Sequence, residues 1–111
     1  MNPEANKYLS DIIASIETID SHLSDIATIA EYSASKKTVD AVERRIAIIG
    51  EALRKASALD GDLNISNKSK IIGLRNILTH DYDLIDDETI WIICKKYLPQ
   101  LKREILGLGI E

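Results

Sequence analysis

The sequence predicts an all-α fold, an antiparallel four-helix bundle, on three observations. Apolar residues recur at steps of three and four in four separate stretches, which is the spacing of one helix face. Short polar segments join these stretches, and short connections favour antiparallel neighbours. No stretch alternates apolar and polar residues as a half-buried strand would. With 111 residues the chain can build one hydrophobic core and not two, so residues 1–111 are predicted to form one domain.

The first predicted helix runs from about residue 4 to about residue 32, with Pro3 tolerated near its start. Its apolar stripe consists of Ile12, Ile16, Ile19, Leu23, Ile26 and Ala30. This isoleucine-rich stripe carries more apolar surface than one small bundle is expected to bury. The excess favours a homodimer.

The second predicted helix follows the polar segment SASKKT, and Thr38 or Asp40 is expected to cap it. Its apolar stripe consists of Val39, Val42, Ile46, Ile49, Leu53 and Ala56. Gly50 lies inside this helix, where glycine costs about 0.5–1 kcal/mol relative to alanine. That cost is compensated if another helix packs closely at this position.

The third predicted helix follows the turn cluster DGDLN and runs from Ser66 to about His80. Ile71, Leu74 and Leu78 are expected to form its inner face. The segment DYDLIDD connects it to the next helix.

The fourth predicted helix is capped by Asp86 or Asp87, whose negative charge suits the positive end of the helix dipole. Its apolar stripe consists of Ile90, Cys94, Tyr97, Leu101 and Ile105, and Trp91 beside it is expected to be a core or interface residue. Pro99 is expected to kink this helix or to restart it as a short extra C-terminal helix.

Composition excludes several classes of protein. The single cysteine, Cys94, cannot form an intramolecular disulfide and is expected to be a buried hydrophobe, and no Cys/His cluster has zinc spacing. These features favour a reducing cytoplasm and argue against a structural metal.

No stretch approaches 18 consecutive apolar residues, and the N-terminus MNPEANKYLS lacks a basic and an apolar region. Neither a membrane span nor a signal peptide is therefore expected.

The net charge of −4 argues against broad, sequence-independent coating of nucleic acid, which needs a basic face. The charge is unevenly distributed, however. Residues 34–58 hold six basic and three acidic side chains, whereas residues 81–88 hold five acidic ones. The basic residues that leave open a compact phosphate-binding site are Lys36, Lys37, Arg44, Arg45, Arg54, Lys68, Lys70 and Arg75.

The segment GLRNILTHDYDLIDDE gathers the candidate catalytic residues. A histidine near a helix C-terminus is ordinarily structural and favoured by the dipole. Here Arg75 and Asn76 precede His80 on the same helix, Asn76 and His80 form an i, i+4 pair, and Tyr82 follows two residues later. Arg75 and His80 point about 140° apart on a straight helix. Either the long Arg75 side chain curls around the helix, or a two-fold axis brings a second copy of the motif alongside, and we expect a dimer with both motifs at one cleft.

The segment GLRNILTHDYD resembles the R-x-x-x-x-H-x-Y motif of the HepT-like toxins, within the all-helical HEPN superfamily. Arg75, His80 and Tyr82 fill its three fixed positions, and Asn76 supplies the polar residue that commonly follows the Arg. AVERRIAIIGEAL resembles the family's second-helix signature, and IIGLRN and WIICKKYLPQLK share the family's character. The resemblance covers roughly residues 5–105.

This resemblance implies a metal-independent RNase toxin of bacteria or archaea, without a cofactor, encoded beside a minimal nucleotidyltransferase antitoxin. In the family, that antitoxin transfers AMP from ATP onto the motif tyrosine, here Tyr82, and so inactivates the toxin. Arg75 and His80 are then the catalytic residues, with Asn76 supporting them.

The side chains suit RNA cleavage without a metal. Histidine serves as base or acid near neutral pH, and Arg75 offers a permanently charged fork of donors to phosphate oxygens. Asn76 is expected to orient His80 or to bind a phosphate oxygen. Asp86, Asp87 and Glu88 mainly start the next helix, whereas Asp81 and Asp83 have no assigned role beyond recognition by the antitoxin.

Two other hypotheses compete with an RNase toxin. The first is a non-catalytic HEPN module that presents nucleotide or RNA to a nucleotidyltransferase partner, which the negative net charge favours. The second is a purely structural bundle, which leaves the Arg-Asn-His-Tyr grouping unexplained. A nucleotidyltransferase gene next to this one would favour the toxin.

Overall fold

The structure, a computed structural model, describes residues 2–80 and 85–109, except the side chain of His80. Within these ranges the chain is helical and contains no strand. The elements are α1 (Pro3–His22), α2 (Ile29–Ala34), α3 (Lys36–Leu59), α4 (Lys68–His80), α5 (Asp87–Ile92), a π-helical turn (Ile93–Tyr97) and α6 (Leu98–Leu106). The predicted all-α bundle is confirmed.

The longest helix, α3, lies at the centre of the bundle. It packs along α1 on one side and along α4 on the other, and α6 closes against α1. Side chains with essentially no exposure come from five helices: Leu9, Ile12, Ile16, Tyr32, Ile46, Ile49, Leu53, Ile90, Leu98 and Ile105. Burying one such aliphatic side chain stabilises a fold by about 1.5–3 kcal/mol, so this core is the main source of stability.

The first helix is shorter than the sequence predicted. Instead of continuing to residue 32, α1 ends at His22 and α2 begins at Ile29. The Thr28 side chain accepts a hydrogen bond from the Glu31 backbone N–H (3.2 Å), and the Glu31 carboxylate accepts one from the Ala27 backbone N–H (3.2 Å). Because these contacts supply a new helix start, a break is stable although the apolar spacing continues through it.

The apolar stripe of α1 is buried within the chain. Ile12, Ile16 and Ile19 are at most 1% exposed, with α3 packed along this helix. The expected excess of apolar surface on the first helix is therefore wrong. The dimer itself stays a prediction, based on the angular offset of Arg75 and His80.

The start of α3 also differs from the prediction. Ser35, rather than Thr38 or Asp40, is the N-cap, and its hydroxyl oxygen accepts a hydrogen bond from the Thr38 backbone N–H (3.4 Å). Asp40 lies one turn inside the helix and pairs with Lys36 at 3.0 Å. Serine at position 35 can cap because its backbone is extended there.

The third helix begins two residues later than predicted. Asn67 has a φ of 60°, a conformation that asparagine tolerates better than most residues, and α4 starts at Lys68. The backbone N–H of Ser66 donates to Glu104 Oε1 (2.8 Å), which ties this turn to α6. Contacts between residues this far apart in the sequence cannot be predicted from the local spacing of apolar residues.

Helix α5 begins at Asp87, and its N-cap is Asp86, one of the two caps predicted. The Asp86 carboxylate accepts a hydrogen bond from the Thr89 backbone N–H (2.8 Å). The π-helical turn follows α5, and α6 starts at Leu98 with Pro99 in its first turn. Proline has no N–H to donate within a helix, so a change of hydrogen-bond register just before it is physically reasonable. The sequence predicted a kink or a restart at Pro99, and a separate α-helical segment, α6, has Pro99 in its first turn.

The wider turn changes which side chains face the core. Leu98 is 2% exposed, whereas Tyr97, which the even spacing placed on the buried stripe, is only half-buried. Trp91 packs on Tyr32 with ring centroids 5.8 Å apart, as expected of a core residue. Cys94 is buried as predicted, and burial raises the pKa of its thiol to about 12, so the reactive thiolate is scarce at neutral pH.

Candidate active site

Helices α3 and α4 approach closely at Gly50. A Cβ atom on Gly50 would lie 2.9 Å from the Ile71 carbonyl oxygen and 3.1 Å from Arg75 Cβ. Only glycine fits at this distance, so the close packing that would compensate the cost of glycine in this helix is present. The contact holds the backbone of Arg75 against α3.

The Arg75 guanidinium is held at two points. Its Nε lies 3.1 Å from Glu51 Oε2, and its Nη1 donates to Asn76 Oδ1 at 3.0 Å. Because arginine only donates hydrogen bonds, the amide oxygen of Asn76 faces it and the amide nitrogen points elsewhere. The Arg75 side chain remains 42% exposed, so part of its donor fork faces solvent.

Glu51 links Arg75 to a second arginine. Its other carboxylate oxygen, Oε1, accepts a hydrogen bond from Arg54 Nε at 3.0 Å. The hydrogen bond from Arg54, followed by the charges of Arg54 and Arg75, lowers the pKa of Glu51. Glu51 is therefore ionised at neutral pH, and the three side chains together carry one positive charge.

An open groove of about 370 Å³ runs between α3 and α4 beside this group. Its lining consists of Asp40, Glu43, Arg44, Ala47, Ile48, Glu51, Arg75, Leu78 and Thr79. Thr79 is anchored by a hydrogen bond from its hydroxyl to the Arg75 carbonyl oxygen (2.6 Å). Burial, followed by the charges of Asp87 and Asp40, raises the pKa of Glu43. The groove thus places two arginines, which can donate hydrogen bonds to phosphate oxygens, among three carboxylates.

Arg75 and His80 lie on one continuous helix, α4. Five residues of α-helix separate them by about 7.5 Å along the axis and about 140° around it. The structure brings Arg75 and Asn76 together. The side chain of His80 and all of Tyr82, Asp81 and Asp83 lie outside the described residues, so their part in the site stays a prediction.

The model of the HepT-like ribonuclease family matches residues 12–107, most of the chain. The chain belongs to the HepT-like ribonuclease family. Two curated relatives come from Methanocaldococcus jannaschii. One, a "gamma-glutamylcyclotransferase and putative RNase", is 36% identical over the whole of this chain and 50% of its own length. The other, a "putative RNase", is 34% identical over 92% of this chain and 94% of its own length.

This HepT-like chain thus spans half the length of the first relative and nearly all of the second. No solved structure is significantly similar to it. Membership confirms the resemblance that the R-x-x-x-x-H-x-Y segment suggested, including the HEPN-type helical bundle.

The basic residues of the HepT-like chain do not form one cluster. Arg44 and Arg75 line the groove, and Arg54 joins them through Glu51. Lys36 instead pairs with Asp40, and the Lys68 ammonium donates to the Leu63 carbonyl oxygen (2.9 Å). Any phosphate contact on the described surface of this groove therefore centres on Arg44 and Arg75.

Glu51 and Thr79 were not singled out in the sequence. Glu51 follows Gly50, whose missing side chain signals a close helix contact, so a neighbouring polar residue on that face was a detectable candidate. Its partner Arg75 is 24 residues away, and no local pattern predicts that pairing. Nothing in the sequence indicates a role for Thr79 in the site, apart from its position one turn after Arg75.

In the part of the chain that the structure describes, no group of three His, Cys, Asp or Glu side chains is arranged to hold a metal ion. None of the described helices combines the length and the apolar character needed to cross a membrane.

Proposed function

We propose that the chain is a metal-independent endoribonuclease toxin of a bacterial or archaeal toxin–antitoxin pair, with Arg75 and His80 as its catalytic residues. The observation that supports this most directly is the Arg75 guanidinium, fixed by Glu51 and Asn76 while part of it remains exposed beside a groove. Family membership supports the reaction class. The names of both curated relatives contain the word RNase.

In the proposed reaction, His80 removes the proton of a ribose 2′-OH. The 2′-oxygen attacks the adjacent phosphorus, and the bond from phosphorus to the 5′-oxygen breaks. Arg75 donates hydrogen bonds to the phosphorane oxygens, and an imidazolium returns a proton to the leaving 5′-oxygen. The products are a 2′,3′-cyclic phosphate and a 5′-hydroxyl, and no metal enters the balance.

A homodimer completes this site in the proposal. The angular offset of Arg75 and His80 on α4 supports it, because one helix alone aims the two side chains in different directions. A two-fold axis would place two copies of each residue along one cleft, so that one imidazole is the base and the other the acid.

Product chemistry tests the reaction. Purified protein incubated with single-stranded RNA and EDTA is expected to yield 2′,3′-cyclic phosphate ends, detected by mass spectrometry. The matched control is the same oligonucleotide with 2′-deoxyribose at the cleaved position, which should resist cleavage there because the nucleophile is missing. Cleavage that requires Mg²⁺, or that leaves 5′-phosphate ends, contradicts the mechanism. Binding of RNA without cleavage favours the non-catalytic HEPN module.

Regulation forms the second part of the proposal: a minimal nucleotidyltransferase partner silences the toxin by transferring AMP from ATP to Tyr82. The described tyrosines support this choice by exclusion. Tyr32 is fully buried, and Tyr8 and Tyr97 are half-buried with a lysine ammonium over each ring, at 5.6 and 5.3 Å. An AMP group near Arg75 would add negative charge where RNA phosphate must bind.

Mass spectrometry of the protein incubated with the partner, ATP and Mg²⁺ tests this regulation. One or more AMP groups are expected on Tyr82, with activity falling as modification rises. Tyr82→Phe should stay unmodified and, if active, should resist silencing, whereas the control Tyr8→Phe should be modified and silenced like the wild type. AMP on another residue, or silencing without modification, contradicts the proposal.

A further inference from the structure

We propose that Glu51 is a positioning residue, which aims the Arg75 guanidinium at the scissile phosphate and is itself fixed by Arg54. This inference rests on the proposed ribonuclease function. Neither the resemblance in the motif nor the similarity to relatives assigns Glu51 or Arg54 a role.

The geometry of the carboxylate carries the inference. Glu51 uses one oxygen for each arginine, Oε2 for Arg75 Nε at 3.1 Å and Oε1 for Arg54 Nε at 3.0 Å. It also lines the groove and is 25% exposed. A carboxylate held by two guanidiniums has little freedom to rotate, so it fixes the direction in which Arg75 leaves its helix.

Arg75 needs such a partner. Its side chain is long and 42% exposed, and a long side chain at this exposure samples several rotamers unless it is held. The Glu51 carboxylate forms an ion pair at Nε, and Asn76 accepts a hydrogen bond from Nη1. The Nη2 group has no contact of its own with either partner, so its N–H groups remain for a phosphate to accept.

The negative charge of Glu51 allows a positioning role to be distinguished from a role in binding RNA. Glu51 is ionised and therefore repels phosphate, so its removal cannot weaken RNA binding by loss of attraction. A positioning residue that acts on the transition state changes kcat, whereas a residue that binds substrate and transition state equally changes KM. We therefore expect substitution of Glu51 to lower kcat without raising KM.

The decisive experiment measures kcat and KM for RNA cleavage in Glu51→Ala, Glu51→Gln and Arg54→Ala. Glu51→Ala is expected to lower kcat by about 10- to 100-fold with KM unchanged or lower, because a small misplacement of a catalytic group costs this much. Glu51→Gln should recover at least part of the loss, since glutamine keeps the length of the side chain and an oxygen that can accept from a guanidinium. Arg54→Ala should give a smaller loss of kcat that does not add to that of Glu51→Ala.

Glu17→Ala is the matched control. It also removes a glutamate from an ion pair, with Lys102 at 3.7 Å between α1 and α6, and should leave both constants unchanged. A wild-type kcat in folded Glu51→Ala, a raised KM, or an increase in activity overturns the inference. If Glu51→Ala does not fold, Arg54→Ala at its exposed position decides, because a wild-type kcat there overturns it as well.

Arg75→Ala separates this inference from the proposed function. If Arg75→Ala cleaves RNA like the wild type, the proposed function fails. If Arg75→Ala is inactive while Glu51→Ala is fully active, the function stands and only the role of Glu51 is wrong. Adding Glu51→Ala to Arg75→Ala should cause no further loss, since Glu51 acts through Arg75.

Discussion

Replacing Arg75 or His80 by alanine is expected to remove nearly all RNA cleavage. Loss of a preorganised donor to a developing oxyanion typically costs about 10²–10³-fold in kcat. Loss of the general acid–base group costs about 10²–10⁴-fold. Both positions lie on an α-helix, where alanine is favourable, so the variants should fold. Initial rates with saturating RNA and far-ultraviolet circular dichroism measure activity and folding in parallel.

Arg75→Lys sharpens the prediction. A lysine ammonium keeps the charge but cannot form the planar fork that meets Glu51 and Asn76 and still faces a phosphate. Arg75→Lys is therefore expected to recover little of the activity. Arg103→Ala, an exposed arginine of α6, is the matched control and should cleave normally. Full activity in Arg75→Lys would mean that charge alone suffices and that the fork has no role.

Replacing Gly50 by alanine is expected to destabilise the fold and to lower activity together. The added Cβ would meet the Ile71 carbonyl oxygen at 2.9 Å, and this backbone atom can move only if α4 shifts. Overpacking of this kind costs about 1–3 kcal/mol, which outweighs the gain in helix propensity of about 0.8–1 kcal/mol. Because α4 carries Arg75, the same shift should misplace the guanidinium. Urea unfolding and kcat report the two effects.

Gly73→Ala provides the control for Gly50→Ala. Gly73 lies inside α4, and an added Cβ there meets nothing within 4 Å. The alanine should leave the free energy of unfolding unchanged or raise it by up to about 1 kcal/mol through helix propensity. Equal stability of Gly50→Ala and Gly73→Ala would show that the close approach of α3 and α4 has no energetic importance.

The sequence predicted those features that depend on local chemistry. The helical stripe of α3 and the cap at Asp86, one of the two caps predicted, follow from residue type and spacing. The break after His22 was missed because Ile26 and Ala30 continue the helical spacing across it. Hydrogen bonds of Thr28 and Glu31 stabilise the break, and such bonds cannot be predicted from the spacing of apolar residues.

The candidate site was only partly predictable. Arg75 and Asn76 were identified from the motif, and their side chains do meet. Glu51 contacts Arg75 only after α3 and α4 have packed, so the pairing depends on tertiary structure. Its second partner, Arg54, is three residues away on the same helix, yet that pair alone resembles an ordinary surface ion pair.

The π-helical turn at Ile93–Tyr97 has a consequence for how related chains align. A π-turn amounts to one inserted residue, and one residue corresponds to about 100° of rotation in an α-helix. Every side chain from Leu98 onward is therefore rotated by nearly a third of a turn from where an uninterrupted α-helix would place it, and Leu98 and Ile105 are buried in this arrangement. A homologue that lacks the π-turn should show a gap of one residue at this position. Its apolar residues after the gap, up to its C-terminus, should then be shifted by one position relative to those before it.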